Sequence, residues 1–273
     1  MIYCYDGGFD GLLCCVFESY ASRELPFDIL PEGAELPLLL PVKRVASVPE
    51  YAARVRRAIP EKLGGEALPF LQRAFLTCLP QKELLILRFL RLGFREGPAV
   101  MRMLTDDTMY ALTEAVRRLE REAHLYTGFV RFSEADGALA AQIEPKNIVL
   151  PVIAPHFLTR FHTERFVIHD RTHGMALLHE GGAWEIAAVS DFAMPAPGEN
   201  ERRFRALWRL FYDTAEVEGR HNPRVRMTHM PKRYWECMTE FARAEAEPSA
   251  GRPPQFSNVP APARPNVQDK DHI

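Results

Sequence analysis

The chain has 273 residues, enough for one large domain or two small ones, and its 47% hydrophobic and 26% charged residues are ordinary for a globular protein. A formal net charge of -2 excludes a histone-like or generally basic protein, so any contact with nucleic acid has to be made by a local patch. Cys4, Cys14, Cys15, Cys78 and Cys237 form no C-x-x-C pair and no zinc-finger spacing, which reads as reduced thiols in a cytosol.

The opening "MIYCYD" is strand-like and is punctuated by "GG". Asp6 and Asp10 stand where a signal peptide needs basic residues, and the apolar runs are too short for a bilayer, so a cytoplasmic protein without membrane contact is expected. "FDGLLCCVFESYASRE" repeats Phe9, Leu12, Leu13, Val16, Phe17 and Tyr20 at helical spacing. The proline-broken "LPFDILPEGAELPLLLPVK" is long for a connection, which predicts that part of it packs as an extended strand before the helix "PEYAARVRRAI".

A helical block follows. "PQKELLILRFLRLGFREG" is apolar nearly all round, yet Arg88, Arg91 and Arg95 fall at i, i+3 and i+7 along one stripe. "TDDTMYALTEAVRRLEREAHLY" begins with acidic residues that suit the helix dipole, and Met109, Leu112, Val116, Leu119, Ala123 and Tyr126 mark its buried face, with a break at Gly128.

The period then changes from helical to alternating. "FVRFSE", "ALAAQIE", "RFVIHD", "MALLHE" and "AWEIAAVS" read as strands of a mostly antiparallel sheet, interrupted by the short helix "APHFLTRF". Helix "NERRFRALWRLFYDTAEVE" is expected to bury Phe204, Leu207, Trp208 and Phe211. Pro231 then reads as the first residue of a last helix that buries Trp235, Met238 and Phe241. The pattern predicts one α+β domain over 1–245, helical segments against the sheet, and a Pro-rich disordered tail over 246–273.

Four constellations carry chemistry. In "HNPRVRMTHMPKRYWECMTEF", Arg220, Arg224, Arg226, Lys232 and Arg233 surround the start of that last helix, where cations oppose the dipole. A phosphate held by Arg220, Arg224, Lys232 and Arg233, or a buried carboxylate, would neutralise them; the bland alternative is pairing with Glu236 and Glu240. Tyr234 is a base-stacking candidate, and Arg88, Arg91 and Arg95 a second phosphate surface. His124, at a helix end beside Glu122 and Arg131, reads as a cap or as a general acid or base, though Glu122 and His124 cannot share a helix face.

The hairpin "FVIHDRTHGMALLHE" brings His169, Asp170, His173 and His179 together, but Asp-Arg-Thr-His-Gly is ordinary turn chemistry, so no metal is expected and Asp170 is kept as an acid or base. His156, after Pro155, reads as a helix-start hydrogen-bonder or as a donor to a substrate oxygen. No Walker loop, dinucleotide fingerprint or nucleophile elbow is present, and no cofactor is expected.

The stretches "YDGGFDGLLCCVFESY", "ILRFLRLGF", "EAHLYTGFVRF", "IEPKNIVLPVIAPHF", "HDRTHGMALLHEGGAWE" and "HNPRVRMTHMPKRYW" resemble, in the same order, a bacterial domain-of-unknown-function family named probable DNA metabolism proteins, over residues 1–243. The resemblance implies a radical S-adenosylmethionine (radical SAM) companion that modifies or repairs DNA, and relatives fused to uracil-DNA glycosylase-like domains. It carries over no catalytic residue. Arg226 and Thr228 replace the family's usual glutamines, and His229 a common aromatic, which favours a cationic over a polar contact.

The leading expectation is therefore a DNA-binding or DNA-processing accessory in repair or modification. Two rivals are a hydrolase of damaged nucleotides using His124, His156 or Asp170, and a scaffold for the partner enzyme. Convergence of those three residues in one cleft would favour the hydrolase; a basic groove without them would favour binding.

Overall fold

Strand β1 (Ile2–Tyr5) is buried along its whole length, the mark of a strand covered on both faces. The computed structural model, which describes residues 1–37, 39–135, 137–189, 192–215 and 222–241, places β1 at the centre of a parallel sheet. Its neighbours β2 (Asp28–Pro31) and β3 (Val42–Arg44) both come from the proline-broken connection, with Ile2 opposite Asp28 and Val42. Helix α1 (Phe9–Ala21) supplies the crossover that a parallel pair requires.

Helices α2 (Pro49–Leu63), α3 (Ala67–Phe75), α4 (Lys82–Glu96) and α5 (Asp107–Phe129) pack with this sheet around the first hydrophobic core. Helix α3 is an element that the sequence reading passes over. A Cβ at Gly93 of α4 would collide with Leu63 and Val100, so glycine there lets α4 approach α2 closely. Asp106 caps α5 by accepting the Met109 N–H at 3.0 Å, and the six expected apolar positions of α5 are all buried.

A second sheet runs β4 (Ser133–Ala135), β5 (Ala138–Ile143), β6 (Phe166–Asp170), β7 (Met175–Glu180) and β8 (Ala183–Ala188), in that order. It is mostly antiparallel, as expected. The exception is β5 with β6, parallel because helix α6 (Leu150–Arg160) crosses between them. A second core lies where this sheet meets α6 and the C-terminal half of α5. Residues Met1–Ala242 group as one compact unit, whereas the expected tail over 246–273 lies outside the described residues.

Two expectations are corrected. Helix α7 (Glu199–Ala215) does not bury its apolar stripe: Phe204, Leu207, Trp208 and Phe211 are 41 to 68% exposed. The helix touches its neighbours through polar groups instead. Arg205 donates to Ser133, Trp208 Nε1–H to Glu240 at 3.2 Å, and Arg209 to the Thr239 carbonyl at 3.3 Å. Periodicity marks an apolar face but does not supply a surface to cover it.

The last helix also starts earlier than expected. Pro223, not Pro231, opens helix α8 (Pro223–His229), and the Asn222 side chain accepts the Val225 N–H at 3.1 Å. After Pro231 the chain forms only a 3-10 turn, Lys232–Cys237. Met238 is buried and Trp235 and Phe241 half-buried against the second core, as expected.

Candidate anion-binding site

Helix α5 carries a second stripe beside its core-facing one: Ala115, Arg118, Glu122 and Leu125 recur at i, i+3, i+7 and i+10 and line a cavity of about 430 Å³. Glu122 is only 3% exposed. A carboxylate so far from water needs a full set of donors, and it has them. Its Oε1 accepts the Lys146 N–H at 3.1 Å and faces Arg233 Nη2 at 3.1 Å; its Oε2 accepts the Asn147 N–H at 3.0 Å and Asn147 Nδ2–H at 2.6 Å.

The donors come from the turn between β5 and α6, which a second contact locks in place. Asn147 Oδ1 accepts the Cys78 N–H at 2.9 Å, and the Ile148 N–H donates to the Leu76 carbonyl at 2.9 Å. Glu122 therefore fastens three segments distant in sequence: α5, the "PKN" turn and the 3-10 turn that bears Arg233.

This geometry answers why two cations follow Pro231. Lys232 and Arg233 do not open an α-helix, and Arg233 reaches across to the buried Glu122. Glu236 and Glu240, the expected local partners, are engaged elsewhere. Glu240 takes a two-pronged contact from Arg131 at 2.6 and 3.2 Å, and Glu236 lies 3.8 Å from Arg171. Burial works against the Arg233 charge, but hydrogen bonding to the Tyr234 hydroxyl and the field of Glu122 outweigh it and raise its pKa.

The correction concerns Tyr234. Its ring is 3% exposed and packs edge-on to Tyr126 at 5.0 Å and against Phe129 at 5.2 Å, so it cannot stack on a base. Burial raises its pKa further, only partly offset by Arg233. Tyr234 anchors the 3-10 turn and thereby aims Arg233.

Around Glu122 the cavity is cationic. Arg118, Arg121, Lys146 and Arg233 all line it, and among the described residues Arg118, Arg121 and Lys146 have no ion-pair partner. Since the one carboxylate is already spent on its four donors, the cavity keeps an excess of positive charge. Arg224 and Lys232 are exposed in the neighbouring α8 and 3-10 turn, and Arg220 lies outside the described residues.

His124, His156 and Asp170 do not border this cavity. His124 and His156 are exposed on α5 and α6. Asp170 is fully buried and holds the hairpin: it accepts the Thr172 and His173 N–H groups at 3.0 and 3.1 Å and pairs with His173 Nδ1 at 2.7 Å. The other hairpin histidines meet backbone carbonyls, His169 that of Val189 at 3.3 Å and His179 that of Glu164 at 2.7 Å. Among the described residues no three His, Cys, Asp or Glu gather as a metal set.

Arg118, Arg121, Lys146 and Asn147 escaped the sequence reading. The second stripe of α5 was the available signal, obscured because its cations read as an ordinary solvated face. Asn147 gave none, since its partner is remote in sequence.

The family model described as a domain of unknown function (DUF4130) matches residues 80–240. The chain belongs to this family. The match spans α4 to the 3-10 turn and so contains Glu122, Asn147 and Arg233; the resembling stretch "YDGGFDGLLCCVFESY" lies outside it. No curated protein matches the chain. Among the described residues no helix is long and apolar enough to cross a membrane.

Proposed function

We propose that this DUF4130 protein is a DNA-binding accessory in repair or modification, acting beside a radical SAM enzyme, with DNA phosphates held at Arg118, Arg121, Lys146 and Arg233. The observation that carries the reading is the cationic cavity built around a carboxylate already saturated by its own loop. Exposed Arg224 and Lys232 extend the positive surface. The radical SAM companion comes from the family resemblance. His124, His156 and Asp170 lie away from this cavity, which favours binding over hydrolysis.

The test is fluorescence anisotropy with labelled single- and double-stranded DNA over a range of salt. Replacing Arg118 and Arg121 together by Gln removes charge from an exposed helix face. It is expected to weaken binding and to flatten the salt dependence by about two phosphate equivalents. Unchanged affinity and slope in that variant would sink the proposal.

A further inference from the structure

A second cleft, of about 800 Å³, opens between α1, α2 and α4, away from Glu122. Arg88, Arg91 and Arg95 project into it from α4, and Arg54 and Lys62 from α2 across the gap. None of the residues lining it is acidic. Its cations are also poorly neutralised. Arg95 contacts Glu96 at 2.6 Å at its edge, while Arg91 has only long contacts of 3.3 and 3.4 Å to the carbonyls of Glu24 and Ser19. Among the described residues Arg54, Lys62 and Arg88 have no carboxylate partner. Like charges facing one another across a cleft repel, and an anion between them relieves that repulsion.

The walls are not only cationic. Val16, Val55, Ala58 and Leu92 give the cleft an apolar lining, and Phe17, Tyr20 and Phe94 add aromatic rings. Tyr20 is 44% exposed, with the Arg91 guanidinium 4.9 Å from its centroid. Lys62 lies 5.6 Å from the Phe94 ring, and Arg54 5.7 Å from that of Phe17. A bare inorganic anion would gain nothing from the apolar lining, and a purely apolar ligand would leave the cations unanswered. A flat unsaturated ring joined to a phosphate uses both, because bases stack on aromatic and guanidinium planes while cations hold the phosphate. The volume falls within the usual range of small-molecule sites, roughly 300–1,000 Å³.

We infer that this cleft binds a nucleoside phosphate, free or as one unit of a single strand. The inference does not depend on the Glu122 cavity, and much of the cleft comes from α1 and α2, outside the residues matched by the family model.

The experiment titrates the full chain, at low salt, with deoxyadenosine monophosphate, a short oligothymidylate and inorganic pyrophosphate. A nucleotide probe is expected to bind better than pyrophosphate. Arg88→Gln with Arg95→Gln, both exposed positions, should weaken it by about tenfold. Tyr20→Leu should weaken the nucleotide probes and leave pyrophosphate unchanged. Preference for the oligonucleotide identifies a strand as the source of the ligand, and preference for the monophosphate a free nucleotide; either supports the inference.

Three outcomes overturn it: neither nucleotide probe binds; pyrophosphate binds as well as both and ignores Tyr20→Leu; or the Arg88 and Arg95 variant binds normally. Loss of nucleotide binding only in the Arg118 and Arg121 variant would also overturn it while leaving the DNA proposal standing. Failure of DNA binding with nucleotide binding intact would do the reverse.

Discussion

The two cationic clefts hold their charges by different means. Around Glu122 a buried carboxylate is bonded to the backbone of one turn and to an arginine from another, so the positive wall is part of the architecture. Between α1, α2 and α4 the cations rest on rings and long backbone contacts, with no acid in the lining. A buried ion with all its donors fixes geometry, and removing it strands its partners. Cations laid on exposed rings fix little and cost little to remove. The first cleft should therefore be sensitive to mutation in its stability, the second only in what it binds.

The largest effect expected is from Glu122→Ala. Two backbone N–H groups, the Asn147 amide and Arg233 would lose their acceptor together. The cost is about 3 kcal/mol, which at this chain length lowers the melting temperature by roughly 6–12 °C. Thermal denaturation at neutral pH checks it. A shift under about 2 °C would erase the contrast between the two clefts.

Glu240 offers a pH-dependent version of the same principle. Burial would raise its pKa, but the Arg131 hydrogen bonds and charge, helped by Trp208, outweigh burial and lower it. Because the folded-state value is depressed, the pair's contribution is fully present above the usual carboxylate range and is lost as pH falls through the lowered value. Glu240→Gln is expected to cost about 1.5 kcal/mol at pH 7. The gap in melting temperature from the parent protein should close on acidification below about pH 4. A gap that stayed constant with pH would assign the effect to packing.

The smallest effect belongs to the second cleft. Arg88→Gln with Arg95→Gln should leave stability unchanged or raise it by less than about 0.5 kcal/mol at low salt, as like-charge repulsion is removed. Chemical denaturation at two salt concentrations would sharpen the point. Destabilisation beyond about 1 kcal/mol would mean that these arginines serve the fold.

Local pattern was enough to determine most of the elements. Capping at Asp106, the core-facing stripe of α5 and the alternation from Ala138 to Ala188 all depend on neighbours in sequence, and the structure places them where those signals fall. The stripe of Arg88, Arg91 and Arg95 on one edge of α4 was legible for the same reason. Tertiary structure alone decided what each stripe meets. Whether the apolar face of α7 is covered, whether Tyr234 faces solvent or the second core, and which acid receives Arg233 are questions of partner surfaces remote in sequence. A periodic pattern states what a face needs, but burial and pairing energies exist only once another segment, such as the turn at Asn147, has been brought against it.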